Sequence, residues 1–186
     1  MVNKRLMSLT YKIARLWWAP EGTVEKYSVD EKIEYPNDST LNFSSNFVAK
    51  LQFVKLKNEI IALIDNAKIA THFTCQHCLE DFIFDLKIPH AEGEFFYDNV
   101  PFSENEADIN FIDKRKMTIS LDELVRQEII LHFPLIPVCS RSCKGLCARC
   151  GKNKNRQSCK CKEDGEPKTS KPLRNLKKIY NSRSLK

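Results

Sequence analysis

The chain has 186 residues, of which 42% are hydrophobic and 10% aromatic, and its net charge is +6. These are values of a folded globular protein, and they exclude an intrinsically disordered chain. The charge is divided unevenly: residues 1–138 hold 15 Lys/Arg and 21 Asp/Glu, whereas residues 139–186 hold 15 and 3. The basic C-terminal third therefore favours a phosphate backbone or an acidic protein surface as its partner.

The N-terminal segment LTYKIARLWWAP predicts a strand or a short helix. Lys12 and Arg15 interrupt its apolar run, and no small-residue cleavage site follows. The sequence thus predicts neither a signal peptide nor a transmembrane span, and we expect a cytoplasmic protein in a reducing compartment with no membrane partner. Trp17 and Trp18 suggest no function of their own, because neighbouring aromatic residues are more often part of a core.

Residues 41–100 predict antiparallel strands. Apolar residues of LNFSSNFVAKLQFVKL fall on odd positions, which is the period of a strand with one buried face. They are Phe43, Phe47, Leu51 and Phe53. Asn58 and the Asp65–Asn66 pair are turn candidates. We expect a meander of roughly three to five strands, with Cys75 and Cys78 between the end of one strand and the start of the next.

Residues 101–116 are acidic and then basic, and they predict an exposed loop leading into a short strand near Ile109–Ile112. A helix is expected near 120–133, because Ser120 and Glu123 have the spacing of a capping box. Its apolar residues form one stripe that should pack on the sheet. They are Leu121, Leu124, Val125, Ile129 and Phe133.

These elements predict an α+β fold, an antiparallel β meander packed by one amphipathic helix. We expect three parts: a β-rich domain over 1–138, a Cys-rich, zinc-ribbon-like metal-binding module over 139–162, and a basic tail over 163–186. The boundaries follow the shifts in charge and in cysteine content along the chain.

All eight cysteines fall into closely spaced pairs. The pairs are Cys75/Cys78, Cys139/Cys143, Cys147/Cys150 and Cys159/Cys161. Thiolates two to four residues apart can converge on one ion, as tetrahedral zinc requires, and Gly151 suits the tight turn after a CxxC pair. A disulfide framework fits a small secreted domain better, and a redox-active CxxC uses fewer cysteines. An iron–sulfur cluster stays open, because four cysteines also suit it.

Eight thiolates suit two structural four-cysteine Zn²⁺ sites. The preferred grouping joins Cys147/Cys150 to Cys159/Cys161 across a ribbon-like hairpin, and Cys139/Cys143 to Cys75/Cys78. Other groupings stay open, including one four-cysteine site with spare thiols. A zinc ion with four thiolates carries a net −2, so two sites would lower the chain's balance to roughly +2. With every position taken by sulfur, no site is left for catalytic water.

The order of these motifs resembles the YceD family, the bacterial large ribosomal RNA subunit accumulation proteins. The similarity runs from about Asn42 to the C-terminal PLRNLKKI. CKGLCARCGKNKN with CKC is its most specific part, and TCQHCLEDF is less so. One departure is visible, since the family usually has arginine where His77 stands. The resemblance implies a role in synthesis, processing or stability of large-subunit (23S) ribosomal RNA and implies no catalytic activity.

The leading hypothesis is a non-enzymatic ribosome-biogenesis factor that binds rRNA or the pre-ribosomal large subunit through its basic C-terminal third. The candidate nucleic-acid contacts are Lys144, Arg149, Lys152, Lys154, Arg156, Lys160, Lys162, Arg174, Lys177 and Lys178. The alternative is a scaffold that binds a protein partner and whose zinc sites are purely structural. No paired acid and base lies beside an open metal position, so the sequence predicts no enzyme.

Overall fold

The structure is a computed structural model that describes residues 9–36, 38, 40–97 and 110–161. The chain divides into two compact units, Met1–Cys143 and Lys144–Lys186. Within the described part of the first unit, strands and helices follow in the order β1 (Thr10–Lys12), α1 (Ala14–Trp17), β2 (Val24–Glu31), β3 (Phe47–Lys55), β4 (Glu59–Thr74), β5 (Asp81–Phe96), β6 (Asn110–Phe111), β7 (Thr118–Ser120) and α2 (Asp122–Leu131). No helix in these ranges has the length and apolar character needed to cross a bilayer.

The main sheet has the order β2-β3-β4-β5-β6 within the described residues. Strands β2 to β5 pair antiparallel with their neighbours in the chain, and β6 adds to β5 in parallel. The predicted meander is therefore confirmed. A second, two-stranded sheet pairs β1 with β7. The short strand expected near Ile109–Ile112 is β6, and the preceding part of that predicted loop, 101–109, lies outside the described residues.

One face of the main sheet is buried. Alternate residues of β3 point into the core, as their period predicted, and Phe47, Leu51 and Phe53 are almost fully buried. Helix α2 covers this face with its apolar stripe. At the closest approach, the side chain of Leu124 occupies the space where Gly93 of β5 lacks a Cβ. The expectation that the helix packs on the sheet is confirmed.

The predicted capping box at Ser120 is wrong. Ser120 ends β7 opposite Thr10, and α2 begins at Asp122 with Leu121 at the N-cap and no side-chain cap. Asp122 instead accepts the backbone N–H of Leu9 at 2.8 Å and the hydroxyl of Ser120 at 2.7 Å. Because Ser120 pairs in a sheet, the N-cap lies one residue later than expected, at Leu121, and the Asp122 carboxylate links α2 to the strand before it.

The predicted turn at Asp65–Asn66 is also wrong, because both residues lie inside β4. The register between β3 and β4 shifts there, with Lys50 opposite Asp65 but Val48 opposite Lys68. The extra residue makes a β-bulge, and Asn66 adopts a left-handed φ of 53°. Asparagine tolerates that left-handed conformation in a bulge as well as in a turn, so its presence did not distinguish the two.

At the N-terminus both predicted alternatives occur, a short strand β1 and a single helical turn α1. The ring of Trp17 stacks on Tyr97 with centroids 4.7 Å apart, and it lies 3.9 Å from Nζ of the buried Lys55. Trp18 is exposed, so only the first of the two tryptophans packs against the core. This cluster helps to join α1 to the hairpin between β3 and β4, where Asn58 occupies the expected turn.

Candidate metal centres

The first cysteine cluster lies where β4 passes into β5. Cys75 follows the last residue of β4, and Cys78 precedes the start of β5, as the sequence predicted. Cys139 and Cys143 come from the segment that leaves α2. The backbone N–H of Gln76 donates to the carbonyl of Pro137 at 2.9 Å, which fixes that segment against the β4–β5 turn.

The spacing of the four sulfurs fits a tetrahedral ion. Sγ of Cys75 and Sγ of Cys143 are 3.9 Å apart, and Sγ of Cys78 and Sγ of Cys139 are 3.8 Å apart. All four lie within 4.8 Å of one another. Ligands about 2.3 Å from a central zinc are about 3.8 Å apart in a regular tetrahedron. A disulfide would need about 2.05 Å, and all eight cysteines are free thiols.

The second cluster belongs to the second unit. Cys147, Cys150, Cys159 and Cys161 also place their sulfurs within 4.8 Å of one another. Cys147 is buried, Cys150 is exposed, and the other two are half-buried. Of the groupings that the sequence left open, the structure brings together the preferred one in both clusters. The chemistry of the donors, four thiols at tetrahedral spacing, suits zinc in each.

The two CxxC pairs, Cys75/Cys78 and Cys147/Cys150, have backbone turns of the same kind. In the first, the N–H of Leu79 donates to the carbonyl of Cys75 at 2.9 Å, and in the second, Gly151 donates to Cys147 at 2.9 Å. Leu79 and Gly151 both have a positive φ, 58° and 69°. Sequence analysis found the glycine but missed Leu79, because leucine gives no signal for a left-handed backbone. The signal that could have found Leu79 is its place directly after the second cysteine of a CxxC pair, which is also the place of Gly151.

Backbone amides in the first cluster favour a thiolate at one cysteine. Burial raises the pKa of Cys75, but the N–H groups of Cys139, Cys78 and His77 outweigh burial and lower it to about 6. Burial, together with the neighbouring thiols of Cys143, Cys75 and Cys78, raises the pKa of Cys139 to about 12. A dication bound between the sulfurs would favour the thiolate form of both Cys75 and Cys139, since metal binding replaces the thiol protons.

The second cluster repeats this pattern. N–H groups of Cys150 and Arg149 lower the pKa of Cys147 to about 6. Hydrogen bonding to the Cys150 thiol, followed by burial, raises the pKa of Cys161 to about 11. In each cluster, backbone N–H groups thus lower the pKa of one thiol, while burial and neighbouring thiols raise the pKa of another.

A comparison with protein-family models identifies the chain. The model described as "Large ribosomal RNA subunit accumulation protein YceD" matches residues 66–179, which is more than half of the sequence. The chain belongs to the YceD family. The resemblance predicted from the motifs is therefore confirmed, and the matched range contains all eight cysteines.

A curated relative is similar over a shorter stretch. "Large ribosomal RNA subunit accumulation protein YCED homolog 1, chloroplastic" from Arabidopsis thaliana is 32% identical over 59 residues. That stretch covers 32% of this chain and 18% of the relative, so the chain matches only a minor part of that longer protein. No solved structure matches the chain.

The basic residues predicted to contact nucleic acid lie around the second cluster of this YceD family member. Exposed side chains belong to Lys144, Arg149, Lys152, Arg156 and Lys160, and Lys154 is half-buried. The remaining candidates, Lys162, Arg174, Lys177 and Lys178, lie outside the described residues, as does the predicted tail at 163–186.

Hydrogen bonds within the loop around the second cluster hold the backbone of two of these cations. Lys144 donates its N–H to Oδ1 of Asn155 at 2.8 Å, and the carbonyl of Lys152 accepts the N–H of Cys147 at 2.8 Å. Asn155 stood in the family motif without an assigned role. Its side chain bridges two parts of the cluster's loop and so helps to fix where Lys144 emerges.

Proposed function

We propose that this protein is a non-enzymatic cytoplasmic factor that acts in the synthesis, processing or stability of large-subunit ribosomal RNA. Membership of the YceD family supports the link to large-subunit rRNA. Two four-thiol clusters support two structural zinc ions, and the second unit would then be a zinc-ribbon-like module. Zinc thiolate sites of this kind persist in a reducing compartment.

Contact with RNA is proposed through the exposed cations of the second unit. Residues 144–161 contain six Lys/Arg and no Asp/Glu. This charge exceeds the net −2 of a zinc ion with four thiolates, so positive charge is left for a phosphate backbone. The observation that carries the proposal is the exposure of these cations on the hydrogen-bonded loop around the second cluster.

The test combines sedimentation and RNA binding. In a sucrose gradient of cell extract, we expect the protein to migrate with precursors of the large ribosomal subunit. The triple variant K144Q/K152Q/K160Q should lose this migration and bind ribosomal RNA more weakly, with a salt dependence reduced by about 0.7 per lost phosphate contact. The control K32Q/K116Q removes two exposed lysines that are already paired with Glu34 and Asp113. If the triple variant and the control bind RNA equally, contact through the second unit is wrong.

A protein-interaction scaffold is the second candidate function. One observation favours it: exposed apolar side chains follow one another where α2 ends and the chain approaches the first cluster. Leu131 is 75% exposed, Leu135 99% and Ile136 62%. Apolar side chains grouped in this way are typical of protein interfaces. A scaffold would keep a protein partner after nuclease treatment and lose it in L135S/I136S, whereas an RNA-mediated association would end with the nuclease.

A further inference from the structure

The outer face of the main sheet, opposite α2, has an apolar centre. In an antiparallel sheet with one face in water, the outward side chains are usually polar. Here Val54 of β3 and Ile61 and Leu63 of β4 alternate with buried residues, so they point outward, and they are half-buried. On the same face, Val24 of β2 and Val48 of β3 are each 43% exposed. Grouped apolar side chains of this kind indicate a surface that packs on another protein surface.

Charged residues surround this apolar centre in an ordered way. Strand pairing places one residue each of β2, β3, β4 and β5 in a row across the outer face. From β2 to β5, three such rows are Lys26–Gln52–Leu63–Glu92, Ser28–Lys50–Asp65–His90 and Asp30–Val48–Lys68–Lys87. Each row carries opposite charges at equivalent distances from the midline between β3 and β4. These charges belong to Lys26 and Glu92, to Lys50 and Asp65, and to Asp30 and Lys87.

Within one chain, the charges on β2 and β5 are too far apart to pair. Three strand spacings separate these strands, so Lys26 lies about 14 Å from Glu92, and Asp30 lies as far from Lys87. Neither lysine makes an ion pair with any of the described residues. Lys87 is instead the direct cross-strand partner of Lys68, and like charges in that position are destabilising. The single chain gives no reason for this arrangement.

A two-fold axis parallel to the strands brings the opposite charges together. This rotation lays the outer face of one copy of the chain on that of another, with β2 over β5 and β3 over β4. Each row then faces the same row of the second copy. Lys26 of one copy meets Glu92 of the other, and Asp30 meets Lys87. Because such an interface uses the same surface on both copies, each of these contacts occurs twice.

We infer that the outer face of the main sheet is the interface of a homodimer whose two-fold axis runs parallel to the strands. Charge complementarity identifies a second copy as the occupant, since one surface supplies both signs at the positions that the rotation brings together. The same rotation covers the apolar centre, with Val54 of one copy over Ile61 of the other. Two sheets packed in this way lie about 10 Å apart with nearly aligned strands. The inference goes beyond the proposed function and does not depend on RNA.

Sedimentation equilibrium of the full-length, zinc-loaded chain tests this interface, with a reductant present so that no disulfide joins two copies. At roughly 100 µM the wild type should be a dimer, because a small interface of this kind supports a micromolar dissociation constant. K26E and E92K should each weaken dimerisation at least about tenfold, since each places two like-charge pairs in the interface. The control K12E makes the same change of charge on β1, outside the main sheet, and should dimerise like the wild type.

A mixture of the two variants tests the geometry of the contact. When K26E and E92K are mixed in equal amounts, both charge contacts of a mixed dimer again join opposite signs. The mixture should therefore dimerise within about threefold of the wild-type affinity, although neither variant does so alone. K26E/E92K in one chain should behave in the same way. Circular dichroism spectra of the single variants should match that of the wild type, because both positions are exposed.

Two results would overturn the homodimer. A wild type that stays monomeric at this concentration leaves the outer face to a different protein. A dimer that K26E and E92K leave intact, or that their mixture fails to restore, uses another surface of the chain. Dimerisation that each variant weakens and the mixture restores supports the inference, since no pairing within one copy predicts that result.

Discussion

The backbone N–H of Cys139 donates to Sγ of Cys75 over 3.4 Å, although 64 residues separate them in the chain. The first cluster therefore closes a long loop that contains β5 to β7 and α2. The second cluster joins cysteines that are close in sequence. A metal ion in the first would stabilise the whole β-rich unit, whereas one in the second would stabilise only its own surroundings.

This difference predicts unequal effects of losing one ligand. C143S should destabilise the first unit by at least about 3 kcal/mol, because it opens the long loop and removes the metal. Urea unfolding followed by tryptophan fluorescence measures this directly, since both tryptophans, Trp17 and Trp18, lie in the first unit. C159S is the matched control: if each cluster holds one zinc ion, as proposed, it should lower the zinc content of the chain from two to one and leave the tryptophan transition unchanged. Equal shifts in the two variants would contradict the long-range role of the first cluster.

The turn after Cys150 gives a second prediction. An alanine at Gly151 meets no atom within 4 Å, so only its left-handed φ of 69° opposes the substitution. G151A should cost about 1 kcal/mol and weaken zinc binding at the second cluster roughly fivefold. Competition with a chromophoric chelator measures this affinity. The control K152A changes the next residue, for which no positive φ is found. An unchanged affinity in G151A would show that the turn adapts without strain.

The main features of this fold and of both clusters followed from the sequence for physical reasons. Period-two burial in β3 and the stripe of α2 are local patterns, so they predicted the meander and the helix that covers it. The spacing within cysteine pairs predicted metal ligands, and the length of the segment between Cys150 and Cys159 favoured joining those two pairs, which left Cys75/Cys78 for Cys139/Cys143.

Other features depend on partners far along the chain and gave no local signal. Ser120 has the local sequence of a helix cap. Its pairing with Thr10 in a sheet is a tertiary contact, which the local sequence does not show. Asn66 looked like a turn residue because a bulge and a turn use the same backbone conformation. The Lys68–Lys87 pair became visible only with the register of β4 and β5.

Close contact between α2 and the sheet predicts a cost for any side chain at Gly93. A Cβ there would lie 2.7 Å from Cδ2 of Leu124. G93A should therefore destabilise the first unit by about 1–3 kcal/mol through overpacking. In the double variant G93A/L124A the clash is absent, so its cost should be at least about 1 kcal/mol less than the sum of the single costs. Denaturant midpoints of the four proteins give this coupling, and E94A on the outer face serves as a neutral control. Additive costs would mean that Leu124 simply moves aside.

The Asp65–His90 pair on the outer face predicts a pH-dependent contribution to stability. Nδ1 of His90 lies 2.8 Å from Oδ1 of Asp65, and this hydrogen bond raises the pKa of the imidazole. The same bond, with a second one from Gln52, holds the pKa of Asp65 below its ordinary value. Other charges that raise the pKa of His90 come from Glu92 and from Glu128 of α2.

The signs of these shifts fix the pH window. The contribution of His90 is complete below the ordinary pKa of about 6.5 and is lost as pH rises through its raised folded value. The contribution of Asp65 is complete above about 3.9 and is lost as pH falls through its lowered folded value. The pair therefore stabilises most between about pH 4 and 6.5.

D65N should destabilise more at pH 6 than at pH 8.5, and in an NMR titration it should bring the pKa of His90 down towards its ordinary value. E92Q should lower that pKa less, because Glu92 lies 4.0 Å from Nε2 and makes no hydrogen bond to the ring. Equal pKa changes in D65N and E92Q would mean that the general negative field of the strand, and not the bond to Asp65, holds the proton on His90.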